Sequence, residues 1–147
     1  MKFRFSLIKV LQHRKTLEDL AQRDFQEAFA DLHFEENILK DMIDSKRVAR
    51  EKAYKTQVQG GSAGQNLTQV YEFLVGQDIR IERQMQKIEE KKRKVEELRD
   101  ILRQKATDRK IVEGLRDKKK HEFKKKQDKL EQKNQDDLTT MRFKRHE

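Results

Sequence analysis

Four histidines, His13, His33, His121 and His146, are the residues of this chain best suited to proton transfer or metal binding. Two metal ligands on one helical face stand four residues apart, and no two of these histidines do. They read as solvated imidazoles on helix surfaces. Carboxylates are plentiful, as in Glu35-Glu36 and Glu89-Glu90, but they alternate with Lys and Arg in the manner of a solvated helix face. Without an enclosing pocket nothing tunes their pKa values for acid–base work. The chain has no cysteine, hence no thiol nucleophile, thiolate metal site or disulfide, a composition compatible with a reducing cytosol. The glycines between Gly60 and Gly64 suggest a phosphate loop, yet no Lys-Ser/Thr follows and no strand precedes them, so they make a turn. Asn66-Leu67-Thr68 fits the glycosylation acceptor pattern, although a helix cap is the better use of Asn66. These residues predict no enzyme, no cofactor and no bound metal.

Charge offers more than catalysis does. The formal net charge is +9, and Arg116 to Lys133 holds nine Lys/Arg against four Asp/Glu. Such an excess favours anionic partners. Lys118-Lys119-Lys120 and Lys124-Lys125-Lys126 suit phosphates by type, with an affinity that falls steeply in salt. Phe123 is the only Phe, Tyr or Trp among these lysines, arginine is scarce there, and no nucleic-acid-binding motif is present. Two readings stay open there, a solvated charged face and a docking surface for an acidic protein or ring.

The elements that carry these residues are legible from periodicity. Leu67, Leu74, Ile81, Ile88, Val95 and Leu102 recur at every seventh position, the repeat that winds one helix around another. Before the glycines a second stripe runs through Leu7, Leu11, Ala21, Phe25, Ala28, Leu32, Leu39, Met42, Ala49 and Ala53, with Arg14, Glu18, Glu35 and Lys46 in its polar gaps. There is no proline, and the only strong breaker is Gln59 to Asn66, where three glycines fall within five residues. Asn66 can cap the following helix, with Gln69 in the reciprocal position. The pattern predicts an all-α fold of one domain over 1–147: helix 1 over about 3–58, a glycine hinge at 59–66 and helix 2 over about 67–140, packed as a long antiparallel two-helix coiled coil. Folding back near Ser62 pairs the amino terminus with residues near 120 and leaves the rest as a single-helix overhang, where only Phe123, Leu130, Leu138, Met141 and Phe143 are apolar. Between Arg109 and Lys119 the seam drifts among Ile111, Val112 and Leu115.

Composition agrees. Hydrophobic residues make up 33% and charged residues 43% of 147 positions, against roughly 45–50% and 25% in globular domains. Gln77, Gln84, Lys91 and Lys105 dilute the second seam, so modest stability is expected. Met1 to Val10 resembles a short signal sequence, but Lys9 breaks its apolar core and no small-residue cleavage site follows; Glu18 and Asp19 argue against a transit peptide. Phe29, Ile38 and Ile43 flank the first stripe, while Tyr54, Phe73, Val75 and Ile79 point away from the partner arm. Their clustering toward the hinge suggests a partner site, unless a wider seam buries them.

The opening string Phe3-Arg4-Phe5-Ser6-Leu7-Ile8-Lys9-Val10-Leu11, followed by Arg14, resembles the start of the FliJ family of the bacterial flagellar type III export apparatus. Length, central glycine hinge and Lys/Glu-rich second helix are similar too. The resemblance implies a coiled-coil stalk like the gamma subunit of rotary ATP synthases, cytoplasmic and peripheral to the inner membrane. It implies insertion of the termini end into the hexameric ring of the export ATPase FliI, contact with the export-gate protein FlhA, and escort of export chaperones. Carried over residue by residue, it places gate contacts on Met42, Ser45, Ala49, Phe73, Gln77 and Gln84. Ring contacts fall on Phe3, Arg4, Phe5, Lys119, Lys120, Lys124, Lys125 and Lys126. Ser45, Ala49 and Gln77 are smaller or more polar than the family pattern, which shifts attention to Ile38, Tyr54 and Ile79 as neighbours. Two other classes fit the same sequence: a self-associating coiled-coil scaffold, and a basic helix that binds nucleic acid.

Overall fold

The computed structural model describes residues 2–59 and 64–146, without the side chains of residues 59, 65 and 66. It is all-α: α1 runs Ile8–Gln59 over 52 residues and α2 runs Gly64–Arg145 over 82. The two helices pack against each other, and no strand occurs among the described residues. The turn proposed at Gly60 to Ala63 lies outside the described residues.

Three boundaries differ from the periodicity reading. α1 begins at Ile8 instead of residue 3, because residues 2–5 are not helical and Phe3 turns its ring onto Phe123. Leu7 therefore leaves the periodic face and is exposed, so the stripe starts at Leu11. α2 begins at Gly64 instead of Leu67, which puts Asn66 inside the helix and not at its cap. Glycine costs about 1 kcal/mol in a helix interior, and a first turn, whose N–H groups lack helical partners anyway, carries it more easily. Thr68 Oγ1 donates to the Gly64 carbonyl at 3.0 Å, a bond that needs the helical frame from Gly64 onward. α2 also continues past residue 140 to Arg145, and Arg142, Lys144 and Arg145 in its last turn oppose the negative end of the helix dipole.

The chain packs as two units to which both helices contribute. The first holds residues up to Leu20 together with those from Arg103 onward; the second is Ala21–Leu102. In the second unit Ala28, Leu32, Ile88 and Val95 form the buried core, with Phe25, Leu39 and Leu98 packed against it. All but Leu98 are stripe residues, drawn from both helices, and the buried Ile81 and Ala53 extend the same faces. In the first unit Leu11 is the one large side chain with essentially no exposure, and Val112 is also buried. Val112 settles the drifting register: Ile111 and Leu115 beside it are exposed. Cross-helix contacts run antiparallel in each unit, as Phe3 with Phe123 and Arg14 with Asp108 show in one and Phe25 with Arg99 and Met42 with Gln77 in the other. Every residue from Asp128 to His146 is exposed, so this stretch of α2 is the expected single-helix overhang.

Candidate partner-binding surfaces

The polar positions inside the stripes are the least expected part of the seam. Arg14, Glu18, Glu35 and Lys46 keep the three–four spacing of the apolar stripe, and each meets a polar group on α2. Arg14 Nη1 donates to the Asp108 carbonyl at 2.7 Å. Glu18 accepts from Arg109, whose guanidinium also reaches Glu113. Lys46 pairs with Asp78. Glu35, only 6% exposed, accepts a bond from Gln84 Nε2 on its carboxylate at 2.6 Å and from Lys87 Nζ at 3.0 Å. The same Gln84 amide donates to the Glu35 carbonyl at 2.9 Å. The bond from Gln84, and next that from Lys87, hold the Glu35 carboxyl below its ordinary range despite its burial. The bond to Glu18 holds the Arg109 guanidinium above its ordinary value. Among the described residues no buried side-chain N or O lacks a partner. Gln77 and Gln84 therefore join the helices by hydrogen bonds where composition suggested they only dilute the seam.

This changes the surface expected in the second unit. Gln77 is 6% and Gln84 8% exposed. Gln77 Nε2 donates to the Met42 carbonyl at 2.9 Å. Both amides face the first helix, inside the seam. The open residues of that predicted set are Phe73 and Ser45, with Met42 and Ala49 half-buried. Phe73 is held from behind: Arg80 lies over its ring at 5.5 Å and donates through Nε to Gln77 Oε1 at 2.9 Å. Ser45, Val48 and Ala49 line a shallow open groove on α1. Of the outward apolar candidates, Phe29, Ile43, Tyr54, Val75 and Ile79 are exposed as expected, whereas Ile38 is half-buried as a wider seam requires.

In the first unit the predicted termini-end residues line two neighbouring clefts, except Lys125, which is in neither. The Phe3 and Phe123 rings stand 5.6 Å apart at an interplanar angle of 51°. The Ile8 N–H donates to the Phe5 carbonyl at 3.2 Å, winding the chain directly from Phe5 into α1. Phe3 and Phe5 are half-buried; Arg4, Lys119, Lys120, Lys124, Lys125 and Lys126 are exposed. Two open clefts flank Phe123. One, of about 560 Å³, includes Phe3, Lys120 and Lys124. The other, of about 350 Å³, includes Phe5, Leu115, Arg4 and Lys126. The sequence reading omitted Phe123 and Leu115 from this site, although Phe123 is the sole aromatic among the lysines.

His13, His33, His121 and His146 are all exposed, and no cluster of three or more potential metal ligands occurs among the described residues. No described helix is long and apolar enough to cross a membrane. The family described as Flagellar FliJ protein matches residues 2–147. No curated protein and no solved structure matches the chain.

Proposed function

The chain belongs to the flagellar FliJ protein family, and from that membership, which makes it a flagellar export-related protein, we propose that it is a non-enzymatic coupling factor of the export apparatus. In this reading the termini end docks in the ring of the export ATPase, a face of the second unit bears on the membrane export gate, and the protein escorts export chaperones. It works in the cytoplasm and reaches the inner membrane only through these partners. The observation that supports it best is the bare stretch of α2 from Asp128 to His146, exposed at every position and continuous with the lysine-rich segment beside Phe3. The bare stretch holds five Lys/Arg against four Asp/Glu, and the basic surface lies beside it at Lys118 to Lys126; an exposed helix next to such a surface is suited to an enclosing protein ring.

The test is a binding measurement of the full chain with the ATPase and with the cytoplasmic domain of the gate protein at physiological salt. Binding to neither overturns the reading. On the gate side Phe73→Ala or Met42→Ala is expected to weaken affinity roughly tenfold, the scale of an anchoring interface residue, while helicity is kept. Unchanged affinity in both variants removes that face from the mechanism.

A further inference from the structure

The two clefts beside Phe123 share the Phe3 and Phe123 walls but differ in charge. The larger sets Lys120 and Lys124 against Asp117, Asp128 and Glu131. The smaller has Arg4, Lys119 and Lys126 against Glu122 alone, and Glu122 already lies 4.0 Å from Lys119. Among the described residues no ion pair involves Arg4 or Lys126. The smaller cleft is walled by Phe3, Phe5, Leu7, Leu115 and Phe123. An apolar recess rimmed by unpaired cations is complementary to an apolar side chain flanked by carboxylates.

We propose that the cleft between the Phe3–Leu7 segment and α2, rimmed by Arg4 and Lys126, is a docking site for an acidic protein segment that inserts one apolar side chain against Phe5, Leu115 and Phe123. This deepens the ring-docking reading and rests on it only for the partner's identity. The local chain conformation makes the recess: residues 2–5 leave the helix, Phe3 pins them to Phe123, and the Phe5 to Ile8 turn holds them beside Leu115. A protein segment fits better than nucleic acid. The two phenylalanine rings pack on each other at a tilt and do not stand apart as a base-stacking platform. The rim carries one arginine, so the bidentate phosphate chemistry of arginine clusters is missing.

The two clefts supply a charge-matched test. Arg4→Glu with Lys126→Glu, and Lys120→Glu with Lys124→Glu, change the formal charge equally, but only the first pair reverses the rim of the proposed site. With a labelled synthetic peptide of glutamates around one leucine as probe, the first variant is expected to lose about tenfold or more in affinity and the second less than about threefold. Phe5→Ala is expected to weaken binding by a similar factor at low and high salt, because its contribution is apolar. Circular dichroism confirms that helicity is kept, and Leu115→Ser serves as a second apolar variant should Phe5→Ala disturb the amino terminus. Equal losses from the two charge reversals overturn the proposal, as does undiminished binding in both apolar variants. The same peptide separates this site from the ring reading. If the ATPase fails to bind but the peptide binds and is lost with Arg4→Glu and Lys126→Glu, the docking site stands and the ring reading falls. If the peptide fails to bind, or an oligonucleotide binds as tightly through the same two residues, the docking proposal falls.

Discussion

The two units solve the same problem, polar residues in a helix–helix seam, with different chemistry. In the first, long charged side chains reach in from the edge: Arg109 and Glu18 keep 23% and 21% of their side-chain surfaces exposed. The second also has an edge pair, Lys46 with Asp78, but adds the short amide of Gln84 and the carboxylate of Glu35 inside the seam, where Gln84 ties two acceptors of one residue at once. A long ionic pair tolerates displacement because both side chains can follow. A buried amide bonded to a backbone carbonyl and a carboxylate has one good geometry, and a shift of register leaves those groups unpaired. The second unit is thereby the part of the pairing that defines register. The first holds position with charge and leaves its apolar material, Phe3, Phe5 and Leu115, at the surface.

The sharpest way to break this contrast is to delete one polar partner in each unit. Gln84→Ala is expected to cost about 1–3 kcal/mol, since a buried carboxylate oxygen loses its donor. Arg14→Ala is expected to cost about 0.5–1.5 kcal/mol, because the Asp108 carbonyl it touches is in a helix and half-exposed. Urea denaturation followed by circular dichroism gives both values. Equal costs would remove the distinction between an amide lock and an ionic edge.

Why the apolar seam was legible and this polar lock was not follows from the physics of each. Seven-residue spacing needs only side-chain type, so Ile81, Ile88 and Val95 were assigned correctly, and the family resemblance was carried by the residues from Phe3 to Leu11. Gln77 and Gln84 look like interruptions of that spacing because a single stripe does not show what lies opposite. Their partners become visible only when both stripes are set antiparallel, which places Glu35 across from Gln84 and Met42 across from Gln77. Of the predicted gate-facing residues, those two are turned inward by the same bonds. The amino-terminal departure from the helix was hidden for another reason. Phe3-Arg4-Phe5 has no proline or glycine to stop a helix, and its conformation follows from a contact with Phe123, more than a hundred positions away.

Acid should act on the second unit through Glu35. The Glu35 carboxyl is held below its ordinary range by Gln84 and Lys87, so its ionised form stabilises the folded state. That contribution is fully present above the unfolded value, about 4.3 for glutamate, and is lost as pH falls through the lower folded value. Stability should therefore drop on acidification below about pH 4, with Glu35→Gln flattening that part of the curve. The corresponding shift in the first unit lies on Arg109 and is upward. That contribution is present below the ordinary arginine value and is lost only in strong alkali. Amide hydrogen exchange at pH 3–5 checks the assignment: residues near Glu35 and Gln84 should lose protection as pH falls, and unchanged protection there would contradict it.

The smallest expected effects come from two helical glycines, one in each unit. Gly114 has open space where a Cβ would stand, so Gly114→Ala should be stabilising by nearly the whole helix-propensity difference, about 0.8–1 kcal/mol. At Gly76 the new Cβ would lie 3.2 Å from Arg80 Nη1, the far end of a flexible side chain. The propensity gain is the same, about 0.8–1 kcal/mol, but Arg80 must retreat by a few tenths of an ångström while it lies over Phe73 and donates to Gln77. Gly76→Ala should therefore stabilise less than Gly114→Ala in thermal denaturation. The difference should vanish in an Arg80→Ala background, where the arginine tip is absent. If the two glycine substitutions are equal with Arg80 present, the Phe73–Arg80–Gln77 chain exerts no hold on the helix surface, and the exposed ring of Phe73 has no support from the seam beneath it.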